Sequence, residues 1–341
     1  MSLGFLNELL HGNMVVERVD SRLLRGNPLG DPPIRHCPVY LPPGYHAATR
    51  RYPLVLILAG QFGNSAGWLG FRAFDENIFQ LADRLMAQGA MSPAVLAFPD
   101  CFTRYGGGQY LDSAGTGPYQ SHLADELLPL LDAHFRLRGD AAGRAVAGKS
   151  SGGFGALRLA MARPGLFAHC ACSAGDLHFD MTLRPEIARL PAALARLGGL
   201  AAFLERLPAL RKLGADEACA LNLLALASAY SPTREPPGFR LPIDPASGEL
   251  DEEVFALWRA QDPAERLSAH RAERDALAAL RTLYLEAGDR DEFHAELGAR
   301  VFAHRCRAQG IDLIHREYEG GHFGATWRWG EMLPLLLERM A

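Results

Sequence analysis

Residues 144–157 read R-A-V-A-G-K-S-S-G-G-F-G-A-L, and this stretch decides the fold. Arg144 to Ala147 is short and mostly apolar, which predicts a strand, while Ser151 onward predicts a helix with small residues on its first turn. Only Gly148, Lys149 and Ser150 are left to turn between them. A serine forced into so sharp a strand-to-helix turn brings the two elements very close. Cβ atoms two residues either side of it would collide, and the G-x-S-x-G spacing places glycine at both positions. Ser150 is therefore the expected nucleophile, its hydroxyl pushed out above the sheet. The N–H of Ser151, at a helix N-terminus, is expected to meet the negative charge that develops on a carbonyl oxygen under attack.

The same residues contain a competing pattern. Gly143 to Ser150, G-R-A-V-A-G-K-S, matches the phosphate-binding pattern G-x-x-x-x-G-K-[ST] letter for letter. A phosphate loop needs its strand ahead of the first glycine, whereas here the strand lies inside the pattern. The best apolar run ending in an acid, Val95 to Asp100, comes earlier in the chain and has Pro99 before the acid. A P-loop-like nucleotide binder is thus only a remote alternative.

A chain of 341 residues fits a single α/β domain with a large insertion. The net charge of -4 is mild and the 35 basic residues are dispersed, which argues against a nucleic-acid partner or an anionic membrane surface. The first residues have no basic segment followed by an apolar run, and no stretch reaches the length of a membrane span. Ala218 to Tyr230 comes nearest, but it is short and is interrupted by Asn222. A soluble cytoplasmic protein is expected. The six cysteines have no paired spacing, and Cys170 and Cys172 are expected to be buried thiols on one face of a strand.

Strands are predicted at Met14–Val19, Ile34–Leu41, Leu54–Leu58, Ala94–Phe98, Arg144–Ala147, Phe167–Ser173, Leu283–Ala287 and Ile311–Tyr318. Leu54–Leu58 is apolar without alternation, as a strand covered on both faces should be. Helices are predicted over Phe74–Gly89, Tyr119–Phe135 and from Ser151 to about Arg163. The loop from Tyr105 to Tyr110, rich in glycine and tyrosine, is expected near the mouth of the site. From about 180 to 270 the pattern changes to Ala, Leu and Arg at helical spacing followed by a proline-rich passage, which reads as a helical lid insertion. Residues 1–179 and 271–341 then form the core, a mostly parallel sheet with helices on both faces. Such sheets bind ligands at the carboxyl ends of their strands. The insertion's apolar stripes would serve either to cover that site or to pair two copies as a homodimer.

An elbow serine needs a base and a group to orient the base, in the chain order Ser, Asp or Glu, His. Gly288-Asp-Arg-Asp291 follows the penultimate strand and Gly320-Gly-His322 follows the last. His322 on its glycine-flanked loop is the expected base. Asp291 is preferred as its partner over Asp289 and Glu292, with Asp176 a weaker alternative. Gln61, after the glycine-bearing end of Leu54–Leu58, joins Ser151 as an expected oxyanion donor. Phe62, Lys149, Asp176, His178 and Trp258 are expected to line the substrate pocket, with no chemistry assigned to Lys149. No cluster offers metal ligands, and neither metal nor cofactor is expected.

Taken together, V-Y-L-P-P-G-Y from Val39, Y-P-L-V-L-I-L from Tyr52, F-P-D from Phe98, D-E-L-L-P-L-L-D from Asp125, A-G-K-S-S-G-G-F-G-A-L from Ala147 and A-R-P-G-L-F from Ala162 resemble the putative-esterase family of α/β-hydrolases. G-x-x-D at Gly288 and G-G-H at Gly320, with Trp327, extend the resemblance. That family includes S-formylglutathione hydrolases, feruloyl esterases, siderophore esterases and mycolyltransferases. The resemblance implies an α/β-hydrolase fold, a triad of Ser150, Asp291 and His322, and oxyanion donors at Gln61 and Ser151. It implies a serine carboxylesterase acting on a small ester through an acyl-enzyme. S-formylglutathione hydrolysis, siderophore-ester hydrolysis and acyl transfer are alternatives on the same triad. Three departures stand out: Ala59-Gly60 where the family has His-Gly, Lys149 immediately before the serine, and a lid carrying Pro242-Ile-Asp-Pro to Trp258 and Asp262-Pro263, which many members lack.

Overall fold

The computed structural model describes residues 8–71, 74 and 76–340. Residues 1–7, read above for a leader, and Asp75, within the helix expected from Phe74, lie outside the described residues. The helix itself, α1, spans Ile78–Ala87. It starts where it does because Asn77 caps it: the Asn77 side chain accepts from the Gln80 N–H at 2.9 Å, and the Gln80 side chain accepts from the Asn77 N–H at 3.1 Å.

Eight strands form the main sheet: β1 (Asn13–Asp20), β2 (Ile34–Leu41), β3 (Leu54–Leu58), β4 (Val95–Ala97), β5 (Arg144–Lys149), β6 (His169–Ser173), β7 (Thr282–Gly288) and β8 (Ile314–Tyr318). Their spatial order is β1-β2-β4-β3-β5-β6-β7-β8. β1 and β2 pair antiparallel, as do β2 and β4, and every pairing from β4 to β8 is parallel. β3, β6 and β7 are buried along their whole length. Successive residues face opposite layers, as strand periodicity requires. Leu54, Leu56, Leu58, Cys170 and Cys172 join one core, while Val55, Ile57 and Ala171 join the other. The two cysteines are thus buried neighbours on one face, as expected.

The first core is completed by the helical segment Tyr119–His134, by α2 (Ser151–Ala162) and by α3 (Ala295–Ala308). The second is completed by α1 and α4 (Trp329–Arg339). Within Tyr119–His134 the turn over His122–Leu127 is π-helical, but Leu123, Leu127, Leu128 and Leu131 still reach the core.

Between β6 and β7 lies the helical insertion. Its helices, including Arg184–Ile187, Leu190–Arg196, Leu200–Arg206, Ala215–Tyr230 and Glu252–Arg259, bury their apolar faces on one another around Leu190, Phe203, Leu224 and Trp258. Phe154 of α2 reaches into this cluster, with ring centroids 5.9 Å from Phe179 and 6.2 Å from Tyr230. The insertion is therefore anchored to the helix that follows Ser150. Further along, Ala264, Leu267 and Leu277 have returned to the core of the sheet. Among the described residues no single helix is long and apolar enough to cross a membrane.

Candidate active site

The registers put Leu58, Lys149, Ser173, Gly288 and Tyr318 at the same edge of the sheet. The loops that leave this edge carry Gln61, Ser150, Asp176, Asp291 and His322. Ser150 has φ 58° and ψ -129°, a conformation strained for any residue with a side chain. It is held there from both sides, its N–H donating to the Ser173 carbonyl at 2.9 Å and its carbonyl accepting from the Phe154 N–H at 3.0 Å. A Cβ on Gly148 would stand 2.1 Å from the Gly152 carbonyl oxygen, and one on Gly152 would stand 2.1 Å from that of Leu58. The spacing rule inferred for the turn is visible here as backbone packed on backbone.

His322 is buried, and its Nδ1 lies 2.8 Å from Asp291 Oδ2. The other Asp291 oxygen accepts from the backbone N–H groups of Phe293 at 2.9 Å and Ala295 at 3.4 Å. With Nδ1 directed at a carboxylate, Nε2 is the ring nitrogen left to exchange a proton. The backbone of His322 is fixed as well. Glu292 Oε2 accepts from its N–H at 2.5 Å, and Lys149 Nζ donates to its carbonyl oxygen at 2.5 Å. Burial pushes the Lys149 ammonium below its ordinary range, against the opposing pull of Asp291, Glu286 and Glu292.

Ser150 and His322 open into one cavity of about 570 Å³, whose wall also includes Gln61, Phe62, Lys149, Ser151 and Asp176. Gln61 is tied back from behind. Its Nε2 donates to the Tyr105 carbonyl at 3.2 Å, its Oε1 accepts from Gln109 Nε2 at 3.0 Å, and its carbonyl accepts from the Gly107 N–H at 2.7 Å. The glycine- and tyrosine-rich loop is thus not at the mouth of the site. It is buried behind Gln61 because its glycines admit close backbone approach: a Cβ on Gly106 would stand 2.4 Å from Gln61 Nε2. Gly60 passes close to the serine, a Cβ there standing 3.3 Å from that of Ser150.

Two expected pocket residues are not brought to the cavity. Trp258 is fully buried in the insertion's own core, where its Nε1 donates to Ser231 Oγ at 2.9 Å. His178 turns away toward Asp262, with Nδ1 3.4 Å from Oδ2, and this neighbour raises its pKa. In both cases the side chain meets a partner within the insertion segment, which local sequence does not reveal. Conversely, no local signal announces the contacts from Lys149 and Glu292 to the backbone of His322, which join segments far apart in the chain.

Comparison with known proteins places the family and the fold. The family model described as Putative esterase matches residues 34–334. Esterase Rv1288 of Mycobacterium tuberculosis is 34% identical over 169 residues, covering 47% of this chain and 34% of that protein. An endo-1,4-beta-xylanase/feruloyl esterase of Xylanibacter ruminicola is 26% identical over 160 residues, 46% of this chain and 21% of that protein. The chain therefore spans about a third or less of the length of these curated relatives. Among solved structures, a ferulic acid esterase superposes with a TM-score of 0.61 at 17% identity, covering 97% of this chain and 99% of the other. An S-formylglutathione hydrolase from Agrobacterium tumefaciens superposes with a TM-score of 0.58 at 17% identity, covering 97% of each chain. These likenesses show a shared fold. With the family model running from β2 through the serine turn to the histidine loop, the chain belongs to the Putative esterase family of α/β-hydrolases.

Proposed function

We propose that the protein hydrolyses carboxylic esters through an acyl-enzyme on Ser150. The observation that carries this reading is the convergence of a strained serine and a carboxylate-held histidine on one cavity. Ser150 Oγ attacks the acyl carbon while His322 Nε2 takes its proton, and the imidazolium so formed is stabilised by Asp291. The amides of Gln61 and Ser151 hold the oxyanion; the Ser151 N–H has no carbonyl one turn earlier to bond within its helix. Collapse of the tetrahedral intermediate breaks the ester C–O bond, and His322 returns the proton to the leaving alkoxide. Water, activated by the same histidine, then releases the acid and regenerates Ser150. The insertion would act as a lid over this reaction.

The relatives' names, an esterase and a feruloyl esterase, support the reaction class. Acyl transfer on the same residues is the second reading, since any hydroxyl or thiol that excludes water would take the acyl group. The test is hydrolysis of p-nitrophenyl esters from acetyl to dodecanoyl, with product analysis in the presence of added alcohols. Ser150→Ala and His322→Ala should each lower kcat by about 10⁶-fold, and Ser150 should be labelled by a fluorophosphonate. Ordinary activity in Ser150→Ala would overturn the proposal.

A further inference from the structure

The cavity does not end at the serine. It continues beneath the insertion, where Asp176, Thr182, Glu186, Arg189 and Asn222 form a polar wall. Two of these side chains keep hydrogen-bonding capacity that faces the cavity. Asn222 interrupts the helix Ala215–Tyr230, whose residues from Cys219 to Tyr230 are otherwise buried. The hydroxyls in that run are satisfied, Ser228 by the Leu224 carbonyl at 2.8 Å and Tyr230 by Gln109 Oε1 at 3.3 Å. The Asn222 carboxamide makes no hydrogen bond within the described residues, yet it faces a shared cavity. Asn222 is half-buried, so its carboxamide is free to bond whatever occupies the cavity.

Asp176 is the second. It follows β6 at the sheet edge, half-buried, with the Thr182 hydroxyl on its carboxylate and the His322 ring near it, and no Arg or Lys among the described residues forms a salt bridge to it. The other charges on the wall are accounted for: Arg189 Nη1 is 2.7 Å from Glu186 Oε1, Lys149 bonds the His322 carbonyl, and Glu292 bonds the His322 N–H. What remains is one acidic group without an Arg or Lys counter-ion and one carboxamide without a partner among the described residues, on opposite structural units, the sheet and the insertion.

Resting on the esterase reading above, we propose that Asp176 and Asn222 form a polar subsite that binds a neutral, hydroxyl-bearing part of the ester. A hydroxyl donates to the Asp176 carboxylate and accepts from the Asn222 amide, using both groups at once. An ammonium lacks the acceptor and an aliphatic chain lacks both. A carboxylate-bearing ester would meet an acidic group that no Arg or Lys neutralises, so the subsite selects against anionic substrates.

The test uses matched ester pairs differing only in hydroxylation: glycerol monobutyrate against propyl butyrate for the alcohol side, and p-nitrophenyl 3-hydroxybutyrate against p-nitrophenyl butyrate for the acyl side. The wild type should favour the hydroxylated member of at least one pair by about tenfold or more in kcat/KM. Asn222→Leu and Asp176→Asn should each bring that ratio toward about one, whatever their absolute rates; the ratio within one variant is insensitive to partial misfolding. Equal handling of both members of each pair by the wild type, or a ratio retained in both variants, would overturn the subsite. Turnover of p-nitrophenyl butyrate without hydroxyl preference sinks the subsite alone. No turnover of any ester, with Ser150 unlabelled by fluorophosphonate, sinks the esterase reading and the subsite with it.

Discussion

Lys149 and His322, 173 positions apart in the chain, are joined by a 2.5 Å hydrogen bond from the lysine Nζ to the histidine carbonyl oxygen. The residue preceding the nucleophile therefore holds the loop that carries the base. Together with Glu292 on the N–H and Asp291 on the ring, it fixes His322 at three points. Small displacements of a reacting group are expensive in rate, so the clamp is a positioning device. Lys149→Met should lower kcat by about tenfold to a hundredfold while moving KM much less. Steady-state kinetics on p-nitrophenyl butyrate would check this, and a variant with unchanged kcat would show the contact to be idle.

Asp291 orients the imidazole, and its second oxygen is occupied by two backbone N–H groups. Asp291→Asn preserves the volume but can donate toward Nδ1, which favours the wrong tautomer. The expected loss in kcat is about 10⁴-fold, smaller than for Ser150→Ala. Pre-steady-state kinetics should find acylation slowed while fluorophosphonate labelling of Ser150 becomes slow rather than absent.

At Gly148 the added methyl of an alanine would fall 2.1 Å from the Gly152 carbonyl oxygen, a backbone atom with nowhere to move. Gly148→Ala should destabilise the fold by about 3 kcal/mol or more, with loss of activity in parallel. Urea unfolding of the purified variant would measure it. Wild-type stability in that variant would mean that strand and helix are less tightly apposed than the geometry implies.

Asp176 links stability to pH. Burial pushes its carboxyl up from 3.8 to about 6, with Thr182 and His322 pulling the other way. Between about pH 4 and 6 the folded protein holds a proton that the unfolded chain has released, so this group's contribution to stability falls as pH rises through that window. Above it the cost is fully present. Asp176→Asn should therefore stabilise the protein by about 1–2 kcal/mol at pH 8 and by almost nothing near pH 4. Thermal melts at the two pH values would decide, and an equal effect at both would refute the argument. A stabilising variant that lost hydroxyl preference would identify Asp176 as kept for binding.

Behind the serine, the buried Glu286 accepts from Ser173 Oγ at 3.0 Å, Tyr284 OH at 2.7 Å and Arg328 Nη2 at 2.6 Å. Ser173 in turn receives the Ser150 N–H. Arg328→Met leaves a carboxylate buried without its cation and should cost about 3–5 kcal/mol. Adding Glu286→Gln should recover part of the loss in chemical denaturation. No recovery in the double variant would mean that Arg328 acts through packing alone.

The strand, the serine turn and the order of the candidate catalytic residues were legible in the sequence because they follow from local rules. A glycine two residues either side of a serine is a steric requirement of adjacent backbone, and an unbroken apolar run such as Leu54–Leu58 is what burial on both faces demands. Asn222 was visible too, as a break in an apolar run, but the run alone does not reveal what it faces. Which residues share a space is set by contacts between distant segments. Local pattern placed Trp258 and His178 at the pocket, yet each finds a partner elsewhere; it gave Lys149 no task, yet that side chain spans from the serine turn to the histidine loop. The sequence by itself determined the sheet and the turn that presents Ser150. Only the tertiary structure decided the cavity wall, because side-chain direction on the insertion is fixed by packing across the chain and not by the period of any one helix.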